Sequence, residues 1–255
     1  MTVEEVRNGL KETQTIIVPV GVVEQHGYHL PLSVDTRQAV NFAAGASALT
    51  GCFVAPQVNY CFSGGMLPGT INISPQVFSL VLMDIFRSLA VQGFKNIVVL
   101  LGHGGTEAVR AANDACENFQ RMDPGREGVT IALVPSAECS PTFMSAENAR
   151  DWHAARVETS IMMYYCPDLV RMDKAKLDSP EMVEQFMNDP DSYVEKRKLI
   201  DHKWVVPKMV QWKEMQVGVM GDFSKANAEY GQKIHEEVVE NLAKFIELLQ
   251  ATENK

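Results

Sequence analysis

Three short apolar runs, at residues 16–20, 97–101 and 129–134, are rich in valine, isoleucine and leucine and show no polar alternation. That is the pattern of parallel strands covered on both faces, which have no solvent side to write into the sequence. Residues 53–55 and 217–220 predict two shorter strands. Between the runs the apolar spacing changes to that of helices. Val3, Val6 and Leu10 pattern a helix within residues 2–12. Residues 36–49 put Ala39, Phe42, Ala43, Ala46 and Leu49 on one face, with Gly51 just beyond as a stop. Ser74 followed by Pro75 is a strong helix start, a capping hydroxyl and then a proline at the first helical position. The helix predicted over 75–92 has Val77, Leu80, Val81, Ile85 and Leu89 on its core side and ends at Gly93. Further helices are predicted over 106–121, 158–165 and 227–249, the last with Ile234, Val238, Leu242, Phe245 and Leu249 spaced for packing. Residues 135–151 read as a long polar connection. Residues 177–198, charged and interrupted by Asp189-Pro190, read as an exposed helical arm within an insertion spanning about 171–215.

Strands and helices alternate. That order argues an α/β fold with a parallel sheet, helices on both faces and functional loops at the C-terminal ends of strands. A chain of 255 residues can bury a substantial core, and residues 1–255 read as one domain carrying that arm.

Composition adds little to the fold but narrows the partners. A chain that is 46% hydrophobic and 22% charged is ordinary for a globular protein. A net charge of −9 argues against nucleic acid and against an anionic membrane surface, both of which demand basic patches. No apolar run approaches the roughly 20 residues of a spanning helix. The start, Met-Thr-Val-Glu-Glu, lacks the basic and apolar regions of a signal peptide. Cys52, Cys61, Cys116, Cys139 and Cys166 are scattered, with no Cys-x-x-Cys pair. Such spacing suits reduced thiols rather than a disulfide framework or a zinc-thiolate site, so a cytoplasmic location is expected.

The chemistry concentrates in three loops. The first strand breaks at Gly21 into a segment holding Glu24, His26, His29 and Asp35. Carboxylates and imidazoles are the ligands that hard or borderline divalent cations prefer. In Glu24-Gln25-His26, period-two alternation puts the carboxylate and the imidazole on one side, although a polar surface loop could hold the same residues. The third strand runs into Gly102-His103-Gly104-Gly105, which could alternatively cradle a phosphate at a helix start, without the Rossmann spacing or a P-loop lysine. Glu107 suits the first helical turn as a complement to the helix dipole. The third loop is Asp151-Trp152-His153, leading to Glu158 at the start of an otherwise apolar helix. A buried Glu158 needs a cation partner, whereas a solvated one needs none. Three carboxylates and three histidines in strand-end loops suit a site for two cations.

These segments resemble the creatininase (creatinine amidohydrolase) family over nearly the whole chain. The resemblance rests on residues 19–35, on Leu67-Pro68-Gly69-Thr70, Gly102-His103-Gly104-Gly105 and His153-Ala-x-x-x-Glu158-Thr159-Ser160, and on Gly218-Val-Met-Gly-Asp222. It implies a three-layer α/β/α sandwich with a mostly parallel central sheet, usually assembled as a homohexamer. It also implies two divalent metal ions per chain, Zn, Mn or Fe. Glu24 and His103 would bind one, His26 the other, and Asp35 would bridge both. Creatininase takes a further ligand from a glutamate two residues after the Gly-His histidine, where this chain has Gly105. Glu158 or Glu107 would compensate, and Glu158 is the better candidate. Creatininase also closes its site with tryptophans. This chain offers Glu147, Asn148, Ala149 and only Trp152, and Leu101 and Thr106 replace asparagines beside the glycine loop.

The expected reaction is hydrolysis of a small cyclic amide or related C–N bond in a polar cyclic substrate by a metal-bridging hydroxide. His153 would hand a proton to the leaving group, with Glu158 as the second catalytic candidate. Gly104, Gly105, Trp152 and Ser63 are the candidate substrate contacts, the two glycine amides serving the oxyanion. The same metals in relatives of this family imply alternatives: C–C hydrolysis of a keto-inositol ring, removal of a formyl group, or trimming of a peptide. A silent metal- or ligand-binding protein is the non-enzymatic alternative.

Overall fold

The computed structural model describes residues 1–189 and 191–252, so Pro190 of the predicted Asp-Pro break lies outside the described residues. Its centre is a sheet of four parallel strands, β1 (Thr15–Val20), β2 (Phe53–Val54), β3 (Asn96–Leu101) and β4 (Thr130–Pro135), in the order β2-β1-β3-β4. Every residue of β1 and of β3 is buried, as unbroken apolar runs require. Val20 pairs with Leu101 and Leu101 with Pro135, so three strands end level and release their following loops along one edge.

The helices are α1 (Val3–Gly9), α2 (Val34–Thr50), α3 (Pro75–Gln92), α4 (Thr106–Met122), α5 (Pro141–Asn148), α6 (Arg156–Tyr165), α7 (Pro180–Phe186) and α8 (Ala228–Gln250). Alternate strand residues feed two separate cores. Ile17, Val98 and Leu100 pack with Phe42 of α2, Ile161 of α6 and Ile234 of α8. Ile16, Val18 and Val99 pack with Phe78 and Phe86 of α3 and Phe119 of α4. The fold is therefore the three-layer α/β/α sandwich with a parallel sheet.

Five expectations need correction. The α3 boundaries fall at 75–92 and Ser74 caps the helix, its hydroxyl accepting from the Val77 amide. Its buried face, however, carries Phe78, Leu82, Phe86 and Leu89, while Val77, Leu80 and Val81 are exposed. Apolar residues cover more than one stripe of α3, so spacing alone does not choose. The large phenylalanines take the interior because each gains on the order of 2–3 kcal/mol from full burial. On α2, Ala39, Phe42, Ala43 and Ala46 are fully buried but Leu49 is exposed. The connection at 135–151 contains α5, begun by the same signal as α3: the Ser140 hydroxyl accepts from the Phe143 amide ahead of Pro141. Residues 217–220 form no strand; Met220 makes an isolated bridge, exchanging backbone hydrogen bonds with His153 and accepting one from the Trp152 amide.

The fifth correction concerns the arm. Among its described residues α7 is the one α-helix; it is followed by an antiparallel hairpin of β5 (Val194–Arg197) and β6 (Lys208–Gln211). Nor is the arm wholly exposed. Met182 and Phe186 bury themselves with Met215 and Met220, joined by Leu67, Trp152, Tyr193 and Trp212. The hairpin tip does protrude, with Leu199, Trp204 and Val206 exposed. Among the described residues no helix is long and apolar enough to cross a membrane.

Candidate metal centre

The level strand ends bring the first two loops together over the start of α2. At Gly102 a Cβ would stand 2.1 Å from the Asp35 carbonyl oxygen, so only glycine lets the end of β3 press onto that helix. Asp35 thereby sits in the first turn of α2, buried, where the helix dipole favours its charge. Its Oδ1 lies 3.4 Å from His26 Nε2 and its Oδ2 lies 3.5 Å from His103 Nδ1. Glu24 Oε2 is 3.2 Å from the same His103 nitrogen. On the other side Glu158 Oε2 lies 3.5 Å from His26 Nε2.

Glu24, Asp35 and His103 thus form one ligand triad and His26, Asp35 and Glu158 a second, in each of which the ligand atoms lie within 4.8 Å of one another. Asp35 belongs to both. Glu24 Oε2, His26 Nε2 and Asp35 Oδ2 are buried without a hydrogen-bond partner. Buried polar atoms are nearly always paired, so three orphans converging on one space fit cations held between them. Burial opposes the imidazolium form of His26, but the Glu158 and Asp35 carboxylates outweigh it and hold the ring well above its ordinary pKa. The same balance, with Glu24 and Asp35 as the anions, raises His103. Burial pushes Glu24 and Asp35 up, and the facing histidines bring both below their ordinary range.

Position 105 leaves room for no side chain beside His103 as its ring stands. A Cβ there would lie 2.4 Å from His103 Nε2, so the imidazole itself fills the space a side chain would need. Glu158 takes part in the second triad, whereas Glu107 faces a separate groove with Ser79 and Arg110. Glu158 is also tied to its own loop: Oε2 accepts from the Ala154 amide at 2.6 Å and Oε1 from Gln38 Nε2 at 3.3 Å. Ala154 is fully buried with φ 52°, a region that non-glycine residues seldom occupy and that costs about 1–2 kcal/mol. That backbone turns His153 toward the cluster, its ring 4.2 Å from that of His26. His153 Nε2 donates to the Gln25 carbonyl at 2.8 Å, which leaves Nδ1 as the basic nitrogen.

The ligand triads form the floor of a cavity of about 290 Å³. Gly104, Gly105, Trp152 and Ser63 all line it, as does His153. The Gly104 and Gly105 amides have no hydrogen-bond partner among the described residues. Ser63 is buried and donates to Glu24 Oε1 at 2.5 Å, so it orients a ligand as well as facing the cavity. The Trp152 indole N–H is committed to the Glu147 carbonyl. His29 stands aside: its Nε2 pairs with the Thr159 hydroxyl, and burial pulls its pKa down to about 4, so the ring is neutral.

Several cavity residues escape sequence reading. Gln25, which strand alternation places opposite Glu24 and His26, lines the cavity too, because the chain turns at Gly27 instead of extending. Its side-chain Oε1 accepts from the Gly27 amide and its Nε2 reaches the Gly218 carbonyl. The arm supplies Asp191, Tyr193 and Met215. Asp178 closes the neck of that arm, its carboxylate accepting from the amides of Gln216, Val217 and Gly218 at 2.6, 3.0 and 2.6 Å. A lone aspartate 38 to 40 residues from its partners leaves no local signal.

Comparison with known proteins accords with this geometry. The chain is 30% identical over 250 residues to the mycofactocin precursor peptide peptidase of Mycolicibacterium smegmatis, covering 94% of this chain and 87% of that protein. It is 25% identical over 264 residues to the 3-dehydro-scyllo-inosose hydrolase of Thermotoga maritima, covering 96% of this chain and 81% of that one. A solved structure of manganese creatininase superimposes with a TM-score of 0.75 at 20% identity, covering 98% and 96% of the two chains. Residues 1–246 match the creatininase family, creatinine amidohydrolase. The chain belongs to the creatininase family and is a hydrolase of that family.

Proposed function

We propose that the protein hydrolyses an amide C–N bond in a small polar cyclic substrate, using two divalent metal ions held by Glu24, Asp35 and His103 and by His26, Asp35 and Glu158. The observation that carries this reading is the pair of triads sharing Asp35, with buried unpartnered ligand atoms at their centre. Two such ions would supply an activated water at neutral pH and Lewis acidity toward the substrate carbonyl. The chain's own groups complete the reaction. His153, fixed by the Gln25 carbonyl, carries a proton at Nδ1 to the leaving nitrogen. The amides of Gly104 and Gly105 receive charge developing on the carbonyl oxygen. Ser63 and Gln38 hold Glu24 and Glu158 in place.

The test is metal analysis followed by a hydrolysis screen on creatinine, cyclic ureides, lactams, formamides and keto-inositols. Zn, Mn and Fe each suit this nitrogen and oxygen donor set. Fewer than one divalent ion per chain after reconstitution would sink the binuclear reading. Likeness to the inosose hydrolase favours one second reading, C–C ring opening of a keto-inositol, and turnover of that substrate alone would select it. We further propose self-association, for which the exposed Val77, Leu80 and Val81 on α3 offer an apolar face.

A further inference from the structure

The wall of the cavity above the metal ligands has a charge that its floor does not require. Glu147, from α5, and Asp191, from the arm, both face the space, and among the described residues neither Lys nor Arg lines it. With Glu24, Asp35 and Glu158 that makes five carboxylates, one more than two divalent cations neutralise. Glu147 is half-buried, and among the described residues its carboxylate has no hydrogen bond or ion pair. Burial, then the charges of Glu158 and Glu138, push its pKa upward, so its anionic form lacks compensation within the chain. Among the described residues the Asp191 carboxylate accepts from a neutral partner alone, the Thr106 hydroxyl, at 3.0 and 3.1 Å. Trp152 and Tyr193 add two aromatic faces to the same wall, and Met215 and Met220 add polarisable sulfur. Unneutralised carboxylates beside aromatic rings are the recognition chemistry of an organic cation. A substrate bearing a carboxylate or phosphate away from its scissile bond would meet only repulsion here.

We propose that the substrate carries a cationic ammonium group, held in this cavity by Glu147 and Asp191 against Trp152 and Tyr193. The inference rests on the reading of the cavity floor as a metal hydrolase centre, and it adds the charge class of the substrate. It also assigns two specificity-determining residues, one on α5 and one on the arm.

Three cyclic amides of graded charge test it: α-amino-ε-caprolactam (cationic), ε-caprolactam (neutral) and pyroglutamate (anionic). Binding to the metal-loaded full chain is measured by isothermal titration calorimetry, with metal content determined on the same samples. The expected result is that the amino-lactam binds at least about tenfold more tightly than caprolactam, the increment of one charge-assisted contact, and that pyroglutamate binds weakest. Glu147→Gln and Asp191→Asn should each erode that preference several-fold with metal content unchanged. A wild-type chain that binds the amino-lactam no more tightly than the neutral one, including binding neither, overturns the inference. So does a preference that survives in the folded double variant. If circular dichroism shows a variant misfolded, the wild-type ranking alone decides. Failure of the metal reading is separate, appearing as a chain that retains no divalent ion however the lactams rank.

Discussion

Asp178 offers a prediction whose size follows from its contacts. Its carboxylate is the common acceptor of three successive amides, and two of them, Val217 and Gly218, belong to buried residues. Replacing Asp178 by Ala leaves those two N–H groups without a partner, at about 1–3 kcal/mol each. Water at the rim reduces the loss, so about 2 kcal/mol is the conservative figure. The cost should fall first on the neck of the arm, where the three amides lie, although the Val217 side chain packs into the core that holds Ile17, Val98 and Leu100. Hydrogen exchange on the native protein reads this directly. A loss of 2 kcal/mol raises the opening equilibrium about 30-fold, so amides 215–218 should exchange about 30 times faster while those of β1 and β3 keep their rates. Asp178→Asn, which keeps one acceptor oxygen but turns an amide N–H₂ toward the other amides, should fall between wild type and Asp178→Ala. Wild-type exchange at 215–218 in Asp178→Ala would refute the clamp, and equal loss throughout the sheet would refute its local character.

Five further outcomes are expected. Asp35→Asn should abolish retention of both metal ions by elemental analysis; a chain that still holds two contradicts the shared ligand. His153→Ala should keep its metals and lose about 10²–10⁴-fold in kcat; loss of metal would make the ring a ligand instead. Phe86→Ala should lower stability by about 3–5 kcal/mol in urea unfolding, whereas Leu80→Glu should leave the chain folded and shift its mass toward monomer in light scattering. For pH, His26 and His103 are raised in the folded chain, so their contribution in metal-free protein is complete below about pH 6.5 and is lost as pH rises through their folded values. Divalent ions compete with those protons. Metal affinity should therefore climb over the range in which the metal-free Tm falls, and a metal-free Tm that rises there contradicts the assignment.

The layers of the fold were legible because they rest on local signals. Unbroken apolar runs marked β1, β3 and β4, Ser74-Pro75 marked the start of α3, and Gly51 and Gly93 marked helix ends, both with φ near 72–101°. The buried side of α3 was not legible, since apolar residues cover more than one face and packing, not spacing, decides among them. The Ser140-Pro141 start of α5 was equally plain, but eight residues carry too little periodicity to draw attention to it. In the candidate site, Glu24, His26, Asp35, His103, His153 and Glu158 could be named from three short segments, and the structure brings them together. Gln25, Asp178 and Asp191 could not, because their roles depend on contacts across 38 or more residues or on a turn at Gly27 that interrupts strand alternation.

The clamp at the neck of the arm has a consequence for how such an enzyme can change. The carboxylates and imidazoles of the floor hang from the level ends of β1 and β3 and from α2 and α6. By contrast, Asp191, Tyr193 and Met215 arrive on a segment that leaves and rejoins the body at one point. The segment is in this sense a separable part of the cavity wall: its solvent-facing and cavity-facing positions can be exchanged for those of a relative while Asp178 and Gly218 hold the seam and Met182, Phe186 and Met215 keep their packing on Met220, Leu67 and Trp152. Part of the selectivity is thus carried apart from the floor, with Glu147 and Trp152 supplying the rest of the wall. A graft across that seam should move substrate preference without disturbing metal content.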